Sequence, residues 1–148
     1  MTIENIKRVM DAFYRGKRII GMLPPLPEGI SPMYIRYLDV ICRIEKDKGA
    51  VKVSDIGSAL GVQRPGVTRT VGEMESDGLL LKRQSKEDGR VTFVEITPSG
   101  RELSKKYNEE VFLSIADALE PVSDEDVESL IEMTGKFYAA LSSIKREK

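Results

Sequence analysis

Residues 54–78 read SDIGSALGVQRPGVTRTVGEMESDG, and their punctuation is that of two short helices joined by a tight break. Ser54 supplies a cap and Asp55 a first-turn acid for a helix over 55–60. Gly61-Val62 ends that helix, and Pro65 opens the next one. In the second helix Val67, Val71 and Met74 recur at spacings of four and three residues, the period of a single buried stripe. Asp77-Gly78 closes it, because glycine adopts the left-handed backbone conformation that ends helices at little steric cost. The stretch is predicted as helix, turn, helix.

On its C-terminal side the period changes. Leu79–Gln84 and Val91–Thr97 are β-rich runs flanking the polar tip Ser85-Lys86-Glu87-Asp88-Gly89-Arg90, whose Asp-Gly pair favours a turn, so a hairpin follows the helix pair directly. Thr97-Pro98 then caps a long helix through about Leu119, with Leu103, Tyr107, Val111, Phe112, Ile115 and Leu119 as its inner face. Pro121 interrupts it. Ser123-Asp124-Glu125-Asp126 has the form of a capping box, and the last helix is expected to bury Val127, Leu130, Ile131, Phe137, Tyr138, Leu141 and Ile144.

On the N-terminal side, Ile3, Ile6, Met10, Phe13 and Tyr14 mark an amphipathic helix over 3–20. Three prolines and a glycine in residues 24–29 exclude helix there. A further helix starts at Ser31-Pro32, buries Tyr34, Ile35, Leu38, Ile41, Cys42 and Ile44, and closes at Lys48-Gly49. Val51-Lys52-Val53 is long enough only for an edge strand. The expected fold class is mainly α with a small β-hairpin wing.

Composition narrows the chemistry. The 148 residues carry 23 Lys+Arg against 24 Asp+Glu, for a formal charge of −1, with one cysteine and no histidine. A disulfide framework, a Cys₂His₂ zinc site and any Ser/His/Asp or Cys/His catalytic unit are thereby excluded. No phosphate loop or metal-ligand spacing is present, so the chain reads as a non-enzyme needing no cofactor and no metal. Cys42, on an apolar stripe, reads as a small hydrophobe. The longest early apolar run is far too short to span a membrane, and a cytoplasmic setting is expected.

A balanced charge also means that any contact with nucleic acid comes from a local patch. A helix-turn-helix presents the first turns of its second helix to the DNA major groove. Here those turns offer Gln63, Arg64, Thr68, Arg69 and Thr70, residue types that read base edges or bind phosphate oxygens, while Val67 faces inward. The hairpin adds Lys82, Arg83, Lys86 and Arg90 against Glu87 and Asp88, a local +2. Arg90 stands where a long side chain reaches the adjacent minor groove or its phosphates, and Asp88 is placed to orient it.

The run from Val67-Thr68-Arg69 through Met74-Glu75-Ser76-Asp77-Gly78-Leu79, the triplet Asp88-Gly89-Arg90 and the segment Ile96-Thr97-Pro98-Ser99-Gly100 together resemble the winged helix-turn-helix of the MarR family. The resemblance covers nearly the whole chain. It implies a single domain over 1–148, with a winged helix-turn-helix lobe at 31–97 and dimerisation helices at 1–22 and 98–148. It also implies a homodimeric, ligand-responsive repressor that binds a pseudo-palindromic duplex operator, its two recognition helices about one DNA turn, roughly 34–36 Å, apart. The effector it implies is a small aromatic or phenolic molecule, in a pocket for which Met10, Phe13, Tyr34, Tyr37 and Phe112 are the candidate walls. The alternative reading is a winged-helix protein-interaction module without DNA binding. Gly66 departs from the family pattern, at about 1 kcal/mol of helix stability relative to alanine.

Overall fold

Hydroxyl side chains begin four of the helices of the computed structural model, which describes residues 1–144. Thr2 Oγ1 accepts from the Asn5 N–H at 3.2 Å and starts α1 (Ile3–Ile20). Ser31 Oγ accepts from the Met33 N–H at 3.0 Å, with Pro32 as the first residue of α2 (Pro32–Lys48), which Gly49 ends at φ 76°. Each such cap satisfies a backbone donor that the helix itself leaves open.

After the short strand β1 (Val51–Lys52), helix α3 (Val53–Leu60) starts two residues earlier than its expected start at Asp55, and Ser54 lies inside it instead of capping it. The reason is Asp55, whose Oδ2 accepts the Lys52 N–H at 3.1 Å and moves the helix start upstream. Gly61, at φ 64°, turns the chain, and the Val62 N–H donates to the Gly57 carbonyl at 3.0 Å. Helix α4 (Arg64–Ser76) places Pro65 in its first turn, and Gly78, at φ 73°, follows its end.

Strands β2 (Leu80–Gln84) and β3 (Thr92–Ile96) form the hairpin. The sheet is antiparallel in the order β1-β3-β2, with Leu80 opposite Ile96, Gln84 opposite Thr92 and Val51 opposite Val94, so β1 is the edge strand expected. The core lies where α2, α3 and α4 meet this sheet: Tyr37, Leu38, Ile41, Ile56, Val67, Val71, Met74 and Leu80 are fully enclosed. Burying an aliphatic side chain of this size contributes roughly 1.5–3 kcal/mol. Ile35 and Tyr34 are buried too, while Cys42 and Ile44 are half-buried at the margin.

Thr97 caps α5 (Pro98–Lys105), accepting from the Gly100 N–H at 3.1 Å and donating to the Gly78 carbonyl at 2.7 Å. The expected single helix through Leu119 is instead four segments: α5, a π-helical turn (Lys106–Glu110), α6 (Val111–Ala116) and a 3₁₀ turn (Asp117–Leu119). Side chains hold the wide turn. Asn108 Nδ2 donates to the Ile35 carbonyl and to Ser104 Oγ, each at 3.1 Å, and the Tyr107 hydroxyl donates to the Pro25 carbonyl at 3.3 Å.

The chain divides into two compact units, Met1–Val111 and a second from Phe112 onward. In the second, Ser123 and Asp126 form the expected capping box and start α7 (Asp124–Ser142). Its apolar side chains have helical spacing but are not buried: Val127, Leu130, Ile131, Tyr138 and Leu141 are exposed, as is Ile144 beyond its end, and Phe137 is half-buried. Phe112 and Leu119, expected on an inner face, are exposed as well. An apolar stripe specifies a helix face, and one chain leaves these faces uncovered. Among the described residues, no helix is long and apolar enough to cross a membrane.

Candidate nucleic-acid interface

Val67, Val71 and Met74 seat α4 on the core and thereby fix which of its residues face outward. Gln63, Arg64, Thr68 and Arg69 are exposed along its first turns, and Thr70 is half-buried. Gly66 supports the turn before α4, since a Cβ there would lie 3.1 Å from Val62 Cγ1. Arg69 Nε lies 3.7 Å from Glu73 Oε1, and with the two side chains 79% and 51% exposed this pair is weak enough to exchange for a phosphate.

The tip of the wing is a network of short hydrogen bonds. The Ser85 N–H donates to the Val91 carbonyl and the Val91 N–H to the Asp88 carbonyl, both at 2.9 Å. Gln84 Nε2 donates to the Gly89 carbonyl at 2.6 Å. Asp88 acts on Arg90 through the main chain, its Oδ1 accepting the Arg90 N–H at 2.9 Å, so it orients the backbone of Arg90 and not its guanidinium. Lys86 is exposed at the tip. Arg64 reaches across from α4, its Nη2 donating to the Arg90 carbonyl at 3.4 Å.

Alternation along β2 divides the wing's cations. Lys82 and Gln84 face the space beside α4, whereas Arg83 lies on the opposite side of the sheet with Glu45 and Glu95, 3.1 Å from the latter. Lys82 Nζ sits 2.7 Å from Glu75, which also accepts the Lys82 N–H at 3.0 Å. The hydrogen bond from Lys82 holds the Glu75 carboxyl below the usual carboxylate range.

Between α4 and the wing lies a cleft of about 610 Å³ lined by Lys52, Arg64, Thr68, Lys82, Gln84 and Arg90 among others, with no acidic residue in its walls. A basic, acid-free trough beside a helix start suits the backbone of a nucleic acid, whose phosphates carry the charge. Arg64, Thr68 and Arg90 were legible as a group in the sequence. Lys52 and Gln84 were not, because only the pairing of β1 with β3 brings Lys52 to this side.

A second hollow, of about 390 Å³, lies on the other side of α4 between Tyr34, Tyr37, Arg69 and Glu73. It gathers two of the expected effector-pocket residues. Met10 and Phe13 lie on α1 and do not line it, and Phe112 belongs to the second unit. Burial first, and the nearby Asp77 and Glu73 carboxylates second, push the Tyr34 hydroxyl above its ordinary pKa. Cys42 lies 3.7 Å from Ser104 Oγ, at the edge of the core.

A sequence model described as MarR family matches residues 28–91, the span from before α2 to the end of the wing tip. The uncharacterized HTH-type transcriptional regulator YdgJ of Bacillus subtilis is 25% identical over 128 residues, which are 86% of this chain and 76% of that protein. Among solved structures, Streptococcus pneumoniae FabT in complex with DNA shares the fold at a TM-score of 0.66 and 19% identity, over 97% of this chain and 100% of that one. Bordetella bronchiseptica BpsR, whose DNA binding is regulated by 6-hydroxynicotinic acid, does so at 0.62 and 17%, over 91% and 98% of the two chains.

Proposed function

We propose that this chain, whose residues 28–91 match the MarR family model and which is 25% identical to YdgJ, is a DNA-binding transcriptional regulator of that family and acts as a homodimeric, ligand-responsive repressor on a pseudo-palindromic operator. The observation that carries the site is the acid-free cleft between α4 and the wing, with Arg64 and Arg90 joined to one another in its walls. Gln63, Thr68, Arg69 and Thr70 occupy the turns that enter the major groove, and Lys86 and Arg90 grip the backbone or the minor groove beside it. Asp88 sets the main chain of Arg90. A winged-helix module without DNA binding finds no support in relatives that are themselves transcriptional regulators.

In this proposal residues 1–148 work as one regulator, in which 31–97 form the DNA-binding lobe and the helices of 1–22 and 98–148 make the dimer. Its support is the uncovered apolar residues of α1 and α7, such as Ile3, Ile6, Leu130 and Ile131, which a second copy would bury. The effector is a small aromatic or phenolic molecule, as regulation of BpsR by 6-hydroxynicotinic acid suggests, and Tyr34 and Tyr37 are its candidate contacts here. Such a ligand relieves repression only to the extent that it binds the DNA-incompetent arrangement more tightly. Its setting is the cytoplasm.

The test is selection of bound duplexes from a random pool. The wild-type chain should enrich an inverted repeat, Arg69→Ala should lose it, and Arg90→Ala should enrich it less. Aromatic and phenolic acids added to the selected complex should release the DNA, and indifference to all of them would remove the effector. Failure to enrich any sequence would overturn the reading as a whole.

A further inference from the structure

Arg64 has the position of a base-reading residue but not the orientation of one. We propose that it is a positioning residue which pins the wing tip to the recognition helix and so aims the Arg90 side chain; this rests on the DNA-binding function proposed above. The wing is joined to α4 at both ends of the helix. At the far end Glu75 takes both the ammonium and the backbone N–H of Lys82, at 2.7 and 3.0 Å. At the near end Arg64 Nη2 donates to the Arg90 carbonyl. The two ties are eleven residue steps apart along the helix, roughly 16 Å, and the basic cleft is the space between them.

The tie falls on the residue it serves. The Arg90 N–H is held by Asp88 at 2.9 Å from within the hairpin, and its carbonyl is held by Arg64 at 3.4 Å from outside. Fixing the peptide groups on both sides of a Cα fixes the direction in which its side chain leaves the backbone. Without Arg64, the tip retains its internal bonds through Ser85, Gln84 and Asp88 but loses this anchor on α4.

The experiment is a double-mutant cycle on the selected operator, using the full chain and the variants Arg64→Ala, Arg90→Ala and both together. Arg64 is exposed, so thermal unfolding should be unchanged in all three. If Arg64 works by aiming Arg90, each single variant weakens binding about tenfold, and Arg64→Ala costs less than about twofold once Arg90 is already alanine. Base preferences selected by Arg64→Ala should then match those of the wild-type chain. Losses that multiply to about a hundredfold in the double variant, or relaxed preference at one base position in Arg64→Ala, would overturn the proposal. A wild-type chain that enriches no sequence would end the DNA-binding reading itself, a result distinct from either.

Discussion

Gly100 stands where no side chain fits. A Cβ there would lie 2.3 Å from the Leu79 carbonyl oxygen and 2.8 Å from Ile96 Cγ2. The Leu79 carbonyl is itself engaged, accepting the Thr97 N–H at 3.1 Å, and cannot simply swing aside. Gly100→Ala should therefore cost about 2–3 kcal/mol of stability through overpacking where α5 crosses the sheet. Urea unfolding measures it, and an unchanged midpoint would mean that the backbone gives way freely. Glycine spacing after Thr97 was legible in the sequence. The orientation of Arg64 and the use of the Asp88 carboxylate on a backbone N–H were not, because helical period says which way a position faces and nothing about which acceptor a long exposed side chain finds.

Elements are held to one another by a few polar ties as well as by the core. Arg101 on α5 donates to both carboxylate oxygens of Glu45 on α2, at 2.9 and 2.8 Å. The hydrogen bond from Arg101 is the main cause holding the Glu45 pKa below its ordinary value of 4.5. A depressed carboxylate pKa means that the pair stabilises the fold above the unfolded-state pKa and loses that contribution as pH falls through the folded-state one. Because both side chains are partly exposed, the contribution is about 0.5–1 kcal/mol. Stability measured downward from pH 7 should thus fall below about pH 4.5, less steeply in Arg101→Ala than in the wild-type chain. Equal slopes would show that the pair contributes nothing.

Caps and turn glycines made most element boundaries readable. Two exceptions share a cause, in that a side chain overrides the local backbone pattern. Asp55 draws the start of α3 back to Val53, and Asn108 accompanies a wide turn by bonding the Ile35 carbonyl on another helix. The first is local but needs the competing cap to be ranked. The second depends on a contact 73 positions away in sequence.

At the scale of the whole molecule, periodicity identified the apolar stripe of α7 but not whether this chain covers it, since hydrophobic spacing is the same for a face buried at home and one left open. The sheet order β1-β3-β2, which carries Lys52 to the cleft, likewise depends on pairing distant in sequence. A simple tally of lysines and arginines misleads here, because the Lys82 ammonium is already matched by Glu75. A cation neutralised from within displaces few condensed counterions when a duplex arrives. Binding should accordingly depend on salt less steeply than the tally implies. Glu75→Gln, which keeps an acceptor for the Lys82 N–H but removes the charge, should steepen the slope of log affinity against log salt by roughly one for each chain bound, and tighten the grip on duplexes of any sequence. An unaltered slope would place Lys82 out of reach of the phosphates. Glu75 is in this sense a restraint on indiscriminate adhesion, leaving recognition to the residues that can tell one base pair from another.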